Sequence, residues 1–479
     1  MNRKLLFQIA CAVALTSAFS NRVQAAGPFV VFNGVPVKYA GAGAIVLNYD
    51  QGSLGSRTKA QADTIVTQAV SLWTNVATST VTISRGSDLP ADVNTSNYLT
   101  YFGTLNASVS GDGLNPVVYD SDGSIIDLFF GVGAKNSLLG FAGSAWSYSY
   151  PDFIGTFTDG RAVINGWRSV TDDTMKAVIA HEIGHLIGLD HTQIDSSQGL
   201  TSAYPSNYPL MYPIAYRSFV SLHEDDVAAV SALYPDAALG GTYGTLTGTF
   251  VQANGTPVRG ANLWAQETVS HQLFSVVSDY LDQGTGYFKL ILPAGAYNLH
   301  AQAVKTSFTG ASGVGPHATN SADFSFQAPL YVGGVAMTPL TLGNGTPVKI
   351  SIVAGCAATA TFRMDGTGDI GGNCPIVPGV PTAVSVKAGA GSAIVSFTPP
   401  LNAGSTTSYT VNCTAAGQPT GTQSGTTSPI RVDGLTPGAT YSCTVYASNA
   451  AGTSATTAPV PVIVGKKIDL TPILMLLLD

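Results

Sequence analysis

The chain has 479 residues, of which 10% are charged, and 21 Lys+Arg against 28 Asp+Glu give a net charge of −7. No clustered Lys/Arg face is visible, which excludes nucleic acid as a partner, and 45% hydrophobic residues exclude a disordered chain. The 53 Gly and 26 Pro favour turn-rich β-domains over helical bundles, and the length suits about three domains of roughly 150 residues.

Residues 1–25 read as a secretory signal peptide. Arg3 and Lys4 precede a mostly apolar stretch from Leu5 to Ala18, and Val23-Gln24-Ala25 puts small residues at a cleavage site. That stretch is too short to span a bilayer, and no other run approaches the roughly 20 apolar residues of a membrane helix. The expected localisation is secreted, with the periplasm or the cell surface as destinations of the same export route.

From 26 to 236 the chain mixes strand-like runs with amphipathic helices. Ala62, Ile65, Val66, Ala69, Leu72 and Trp73 recur at three-and-four spacing and predict a helix from Gln61 to Val76. Asp120-Ser121-Asp122-Gly123, with Asp127 beyond it, sits between Val117-Val118 and Ile125-Ile126. Alternate carboxylates before a glycine can wrap Ca²⁺, which makes Asp120, Asp122 and Asp127 candidate calcium ligands. The plain alternative is an Asp-Gly hairpin turn between two strands.

Thr171, Asp172 and Asp173 offer a cap and an acidic first turn to a helix running to about Leu189. Met175, Val178, Ile179 and Leu186 give that helix an apolar stripe. Its second half reads His181-Glu182-Ile183-Gly184-His185-Leu186-Ile187-Gly188-Leu189-Asp190-His191. His181 and His185, four apart, project from one face one turn above each other, as two ligands of one tetrahedral Zn²⁺ require. Gly188 permits a left-handed turn, after which the chain doubles back and delivers His191 as third ligand. Three neutral ligands leave a fourth position open, as in a catalytic zinc site. Glu182 lies beside the ligands, offset from them, within reach of a water there.

A third helix is predicted from Glu224 to Leu233, with Val227, Val230 and Leu233 on one face and a solvated His223 at its start. After Asp236 the helical periodicity stops and short alternating runs continue to the end, so a domain boundary is expected there. Four cysteines follow the leader, Cys356, Cys374, Cys413 and Cys443. They allow three pairings, of which proximity favours Cys356 with Cys374 and Cys413 with Cys443. Tyr409, Val411 and Cys413 share one strand face, as do Tyr441, Cys443 and Val445, so the second bridge would sit in a core. His271, His300 and His317 have no ligand spacing and read as surface or strand residues. Lys466-Lys467 opens an apolar tail, 466–479, interrupted by Asp469 and Pro472.

The histidine segment, followed about 20 residues on by Leu210-Met211-Tyr212-Pro213, resembles the metzincin zinc peptidases. Thr192 after the third histidine, the Leu-Met-Tyr-Pro wording, and His223-Glu224-Asp225-Asp226 before a helix ending Leu233-Tyr234-Pro235 resemble the matrixin branch. The resemblance implies an α+β catalytic domain over 26–236, built as a twisted mixed sheet plus helices. It also implies hydrolysis of protein or peptide substrates by zinc-activated water, with Glu182 as general base and acid and Met211 packed beneath the ligands without binding the ion. Three features depart from that pattern. No histidine precedes His181, no cysteine stands between the leader and Cys356, and Pro213-Ile214-Ala215-Tyr216 is one residue longer than the usual Pro-x-Tyr wall.

Two β-sandwich domains are expected to follow. Thr256-Pro257-Val258, Gly286-Tyr287-Phe288 and Leu292-Pro293-Ala294-Gly295-Ala296-Tyr297 resemble a transthyretin or carboxypeptidase-regulatory-like sandwich over 242–375. Phe397-Thr398-Pro399-Pro400, Leu435-Thr436-Pro437-Gly438 and Asn449-Ala450-Ala451-Gly452 resemble a fibronectin type III domain over 378–465. A spacer or adhesive role, through cell-surface or matrix contacts, is expected of them. The competing reading of the whole chain is a secreted adhesin whose metal domain no longer cleaves.

Overall fold

The structure is a computed structural model, and it describes residues 27–40, 44–102, 113–146, 155–192, 194, 208–213, 220–303, 331–332, 335–336, 339–343, 346–374, 377–400, 408–449 and 452–465. The expected leader, the apolar tail, Ile214-Ala215-Tyr216 and His317 lie outside the described residues. Among the described residues, no helix is long and apolar enough to cross a membrane.

After a small hairpin of β1 (Val31–Phe32) and β2 (Val35–Pro36), the chain builds a six-stranded sheet. Its strands are β3 (Lys38–Tyr39), β4 (Ala44–Tyr49), β5 (Thr82–Arg85), β6 (Asn115–Asp120), β7 (Gly140–Trp146) and β8 (Thr156–Asn165). The order is β3-β8-β6-β4-β5, parallel throughout, and β7 adds to β8 antiparallel. Every residue of β6 is buried, as expected of a parallel strand covered on both faces.

Helix α1 (Lys59–Thr74) covers this sheet. Thr58 and Gln61 form a capping box at its start, which satisfies amide groups otherwise left without partners and sets the start two residues before the predicted one. Its buried stripe is Ala62, Ile65, Val66, Ala69, Val70 and Trp73. Two short helices follow, α2 (Tyr98–Phe102) and α3 (Ser124–Phe130), then α4 (Asp172–Leu186) and α5 (Glu224–Leu233). The indole Nε1 of Trp73 donates to the Ala180 carbonyl at 2.8 Å, tying α1 to α4 within one continuous core.

A single helical turn, α6 (Leu239–Thr242), leads into the β-rich part. Its strands are β9 (Tyr243–Val251), β10 (Ala261–Glu267), β11 (Leu273–Val277), β12 (Tyr287–Pro293) and β13 (Gly295–Ala303). The short β14 (Tyr331–Val332), β15 (Val335–Ala336), β16 (Leu340–Thr341) and β17 (Ile350–Ile352) precede β18 (Ala357–Arg363) and β19 (Gly368–Gly372). One sheet runs β11-β10-β13-β16 and the other β12-β9-β18-β19. The compositional shift after Asp236 marks a change of architecture within one compact unit. The described residues up to Ile350, with Ala354–Gly372, form that unit together.

The second compact unit holds β20 (Thr382–Gly389), β21 (Ser392–Thr398), β22 (Ser408–Thr414), β23 (Gly421–Gly425), β24 (Ile430–Asp433), β25 (Thr440–Asn449), β26 (Gly452–Thr453) and β27 (Val460–Ile463). Its sheets run β20-β21-β24 and β23-β22-β25-β26, with β27 on β25. Cys413 and Cys443 face each other across β22 and β25 and are joined, with Cα atoms 4.0 Å apart. Both are fully buried among Val395, Val411, Tyr441 and Val445. Cys356 and Cys374 are disulfide-bonded as well.

Candidate metal centre

Helix α4 starts where its sequence signals put it. Thr171 caps it, its hydroxyl accepting the Thr174 N–H at 3.2 Å. It ends at Leu186, a turn earlier than predicted. Gly188 takes φ +103°, a conformation that costs a side-chain-bearing residue, and the Leu189 N–H closes back on the Gly184 carbonyl at 2.9 Å. The chain then reverses and brings His191 over the helix.

The three Nε2 atoms form a near-equilateral triangle, with His181 to His191 at 3.0 Å, His185 to His191 at 3.0 Å and His181 to His185 at 3.1 Å. The outer nitrogens explain why. His181 Nδ1 lies 2.8 Å from the Leu210 carbonyl and His185 Nδ1 2.8 Å from the Leu189 carbonyl. A carbonyl can only accept, so both rings carry their proton at Nδ1 and turn a bare Nε2 lone pair inward. Lone pairs facing one another at this range repel unless a cation lies between them. Two nitrogens bound to a tetrahedral zinc at about 2.0–2.1 Å would stand about 3.3 Å apart, close to the triangle found. Among the described residues this is the only group of three or more His, Cys, Asp or Glu whose ligand atoms lie within 4.8 Å of one another.

Burial keeps the rings neutral. It pushes His181 down to about 4, against a weaker upward pull from the Leu210 hydrogen bond. His185 is pushed down to about 3 by burial and by His181 beside it. His191 is lowered in the same way. Glu182 is 6% exposed, and burial pushes its carboxyl up to about 8. Strand β7 passes so close that a Cβ on Gly140 would lie 2.9 Å from Glu182 Oε1. The missing side chain at Gly140 is what gives this carboxyl its room.

Met211 is buried, and a Cβ on Gly184 would overlap its sulfur. Two neighbouring carboxylates of α5, which sequence reasoning did not single out, hold the surrounding loops. Asp226 accepts the N–H groups of Leu210 at 2.7 Å, Met211 at 3.0 Å and His223 at 2.7 Å. It thereby fixes the turn whose Leu210 carbonyl orients His181. Asp225 accepts the Thr192 hydroxyl at 2.9 Å and the Ser275 N–H at 2.9 Å. Their advance signal was their place in the His223-Glu224-Asp225-Asp226 segment at the first turn of a helix, which gave them no role.

The Asp120, Asp122 and Asp127 carboxylates do not converge. Asp120 accepts the Ile125 and Ile126 N–H groups at 3.1 and 2.9 Å, Asp122 accepts Ser124 N–H at 2.9 Å, and Asp127 accepts those of Gly133 and Lys135, both at 3.0 Å. The expected hairpin is absent too. Asp120 holds the start of α3, so Ile125 and Ile126 are helical rather than strand residues. His223 does begin α5, as its N-cap, but it is buried instead of solvated, because its Nδ1 accepts the Asp225 N–H at 3.0 Å. His271 sits in the turn after β10, and His300, on β13, stacks on Trp264 with ring centroids 5.1 Å apart.

Residues 121–235 match the family model for Matrixin, and residues 379–463 match that for the Fibronectin type III domain. The chain therefore carries a matrixin domain and a fibronectin type III domain. No curated protein matches it. Among solved structures it is similar to the FN5 domain of Drosophila Lar, at 26% identity over 19% of this chain and 98% of that one, with a TM-score of 0.17. It is also similar to the fn3 domain of the human collagen alpha-1(XX) chain, at 23% identity over 19% and 87%, with a TM-score of 0.17.

Proposed function

We propose that this protein is an exported zinc-dependent endopeptidase. His181, His185 and His191 would hold the ion, and Glu182 would act as general base and then general acid. The observation that carries the reading is the triangle of three inward Nε2 atoms with a buried carboxyl beside it. Zinc, when bound, supplies a Lewis acid that polarises a carbonyl and makes a water easier to deprotonate. Glu182, next to His181 in the chain, takes the water proton and returns it to the leaving amine. Low exposure keeps bulk water from competing for that proton. Strand β7, which pairs only with β8 among the described residues, passes Glu182 at Gly140. An extended peptide added along its outer edge would meet the carboxyl there.

Disulfides and a fibronectin type III domain suit an extracellular protein, and the signal-peptide reading of 1–25 agrees. The segment 242–375 is proposed as a transthyretin-like sandwich, and 378–465 as a spacer or adhesive module. The test is cleavage of a peptide library by the purified full chain, with and without a zinc chelator. Chelator-sensitive cleavage is expected. Binding to a surface or matrix without any cleavage, insensitive to chelation, would favour the adhesin instead.

A further inference from the structure

Helix geometry aims His181 and His185, but His191 stands on a loop, so its direction depends on what holds that loop. Its neighbour Thr192 is fully buried, and the Thr192 N–H donates to the Met211 carbonyl at 3.0 Å. The Thr192 hydroxyl donates to Asp225 Oδ2 at 2.9 Å and lies 3.0 Å from the Ser275 hydroxyl. Since Thr192 gives its proton to the carboxylate, Ser275 is the donor in that second bond. The Ser275 N–H closes the ring on Asp225 Oδ1 at 2.9 Å. Ser275 belongs to β11, 83 positions after Thr192, beyond the compositional shift and outside the segment that matches the matrixin model.

A second contact supports the same joint. Ile194, Tyr208 and Tyr212, from either side of the Met211 turn, form one buried cluster with Trp264 and Leu273 of β10 and β11. Trp264 stands directly opposite Ser275 in the strand register. The polar ring and the apolar cluster together seal the loop bearing the third ligand against the β-sandwich.

We propose that Ser275 is a positioning residue for the metal centre, acting on His191 through Thr192, so that the β-sandwich forms part of the catalytic body rather than an appended spacer. The proposal rests on the zinc reading above. Partners behind metal-binding histidines commonly change metal affinity by 10–100-fold, and Ser275 stands one residue further out, so an effect near the lower end is expected. Full-length Ser275→Ala, Thr192→Val and Thr192→Ser are compared with the parent chain. The readouts are zinc affinity by chelator competition, the visible spectrum of the Co²⁺-substituted protein, and melting of the metal-loaded form. Ser275→Ala and Thr192→Val should each weaken zinc by about 10-fold and alter the Co²⁺ bands. Thr192→Ser, which keeps the hydroxyl, should remain within about 2-fold of the parent, and the double variant should be no worse than either single one. Folded Ser275→Ala protein with parental zinc affinity and Co²⁺ spectrum would overturn the proposal and leave the zinc reading intact. A parent chain that binds no zinc would overturn both.

Discussion

Two segments of the chain have residues at metal-ligand spacing, and they fold to opposite outcomes. In 181–191, two side chains are fixed on one helix face, a glycine turn returns the third, and backbone carbonyls take up the outer ring nitrogens. In 120–127, the carboxylates alternate as a cation loop would have them, yet each closes on nearby N–H groups. The difference is one of competition. Imidazoles with their Nδ1 satisfied have only one way to use Nε2, whereas a carboxylate in a turn is surrounded by amides seeking an acceptor. Spacing nominates ligands, and the local supply of backbone donors decides whether they remain available.

The sharpest way to break this contrast is to remove a ligand. His185→Ala should abolish zinc retention on gel filtration and, with it, peptidase activity. Glu182→Ala should instead keep the zinc and lose on the order of 10³-fold in kcat/KM; cleavage at parental rates by the zinc-loaded variant would refute its role. At the other segment, Asp120→Ala should cost about 1–3 kcal/mol of stability by denaturant titration, since two buried amides lose their acceptor. A calcium-selective chelator, with zinc kept saturating, should leave the melting temperature of the parent unchanged.

The smallest effect concerns pH. Burial lowers the imidazoles to about 4 at His181 and about 3 at His185, below the ordinary 6.5, so the unfolded chain binds their protons first. Their stabilising contribution is full above about 6.5 and declines as pH falls towards the folded values. Glu182, raised to about 8, acts in the opposite sense, contributing fully below about 4.5 and losing that contribution as pH rises through 8. A non-titrating side chain removes the Glu182 contribution, so in metal-stripped protein the melting temperature of Glu182→Gln should gain on that of the parent as pH rises from about 5 to about 7.

Much of the fold was legible because its signals are local. Thr171 capped its helix, His181 and His185 shared a face, and the alternation around Cys413 and Cys443 set the register that joins them. What escaped depends on approach from afar. Gly140 matters only because β7 runs beside Glu182, and Asp225 only because β11 brings Ser275 against it. Ile125-Ile126 reads as strand by composition, but Asp120 accepts both amides and converts the segment to helix.

The central claim is that three imidazoles share one ion. X-ray absorption at the zinc edge of the full chain tests it most directly. Three histidine nitrogens at about 2.0–2.1 Å, one further light ligand and no sulfur are expected, with one imidazole lost in His191→Ala. A spectrum showing fewer imidazoles, or one unchanged in that variant, would contradict it.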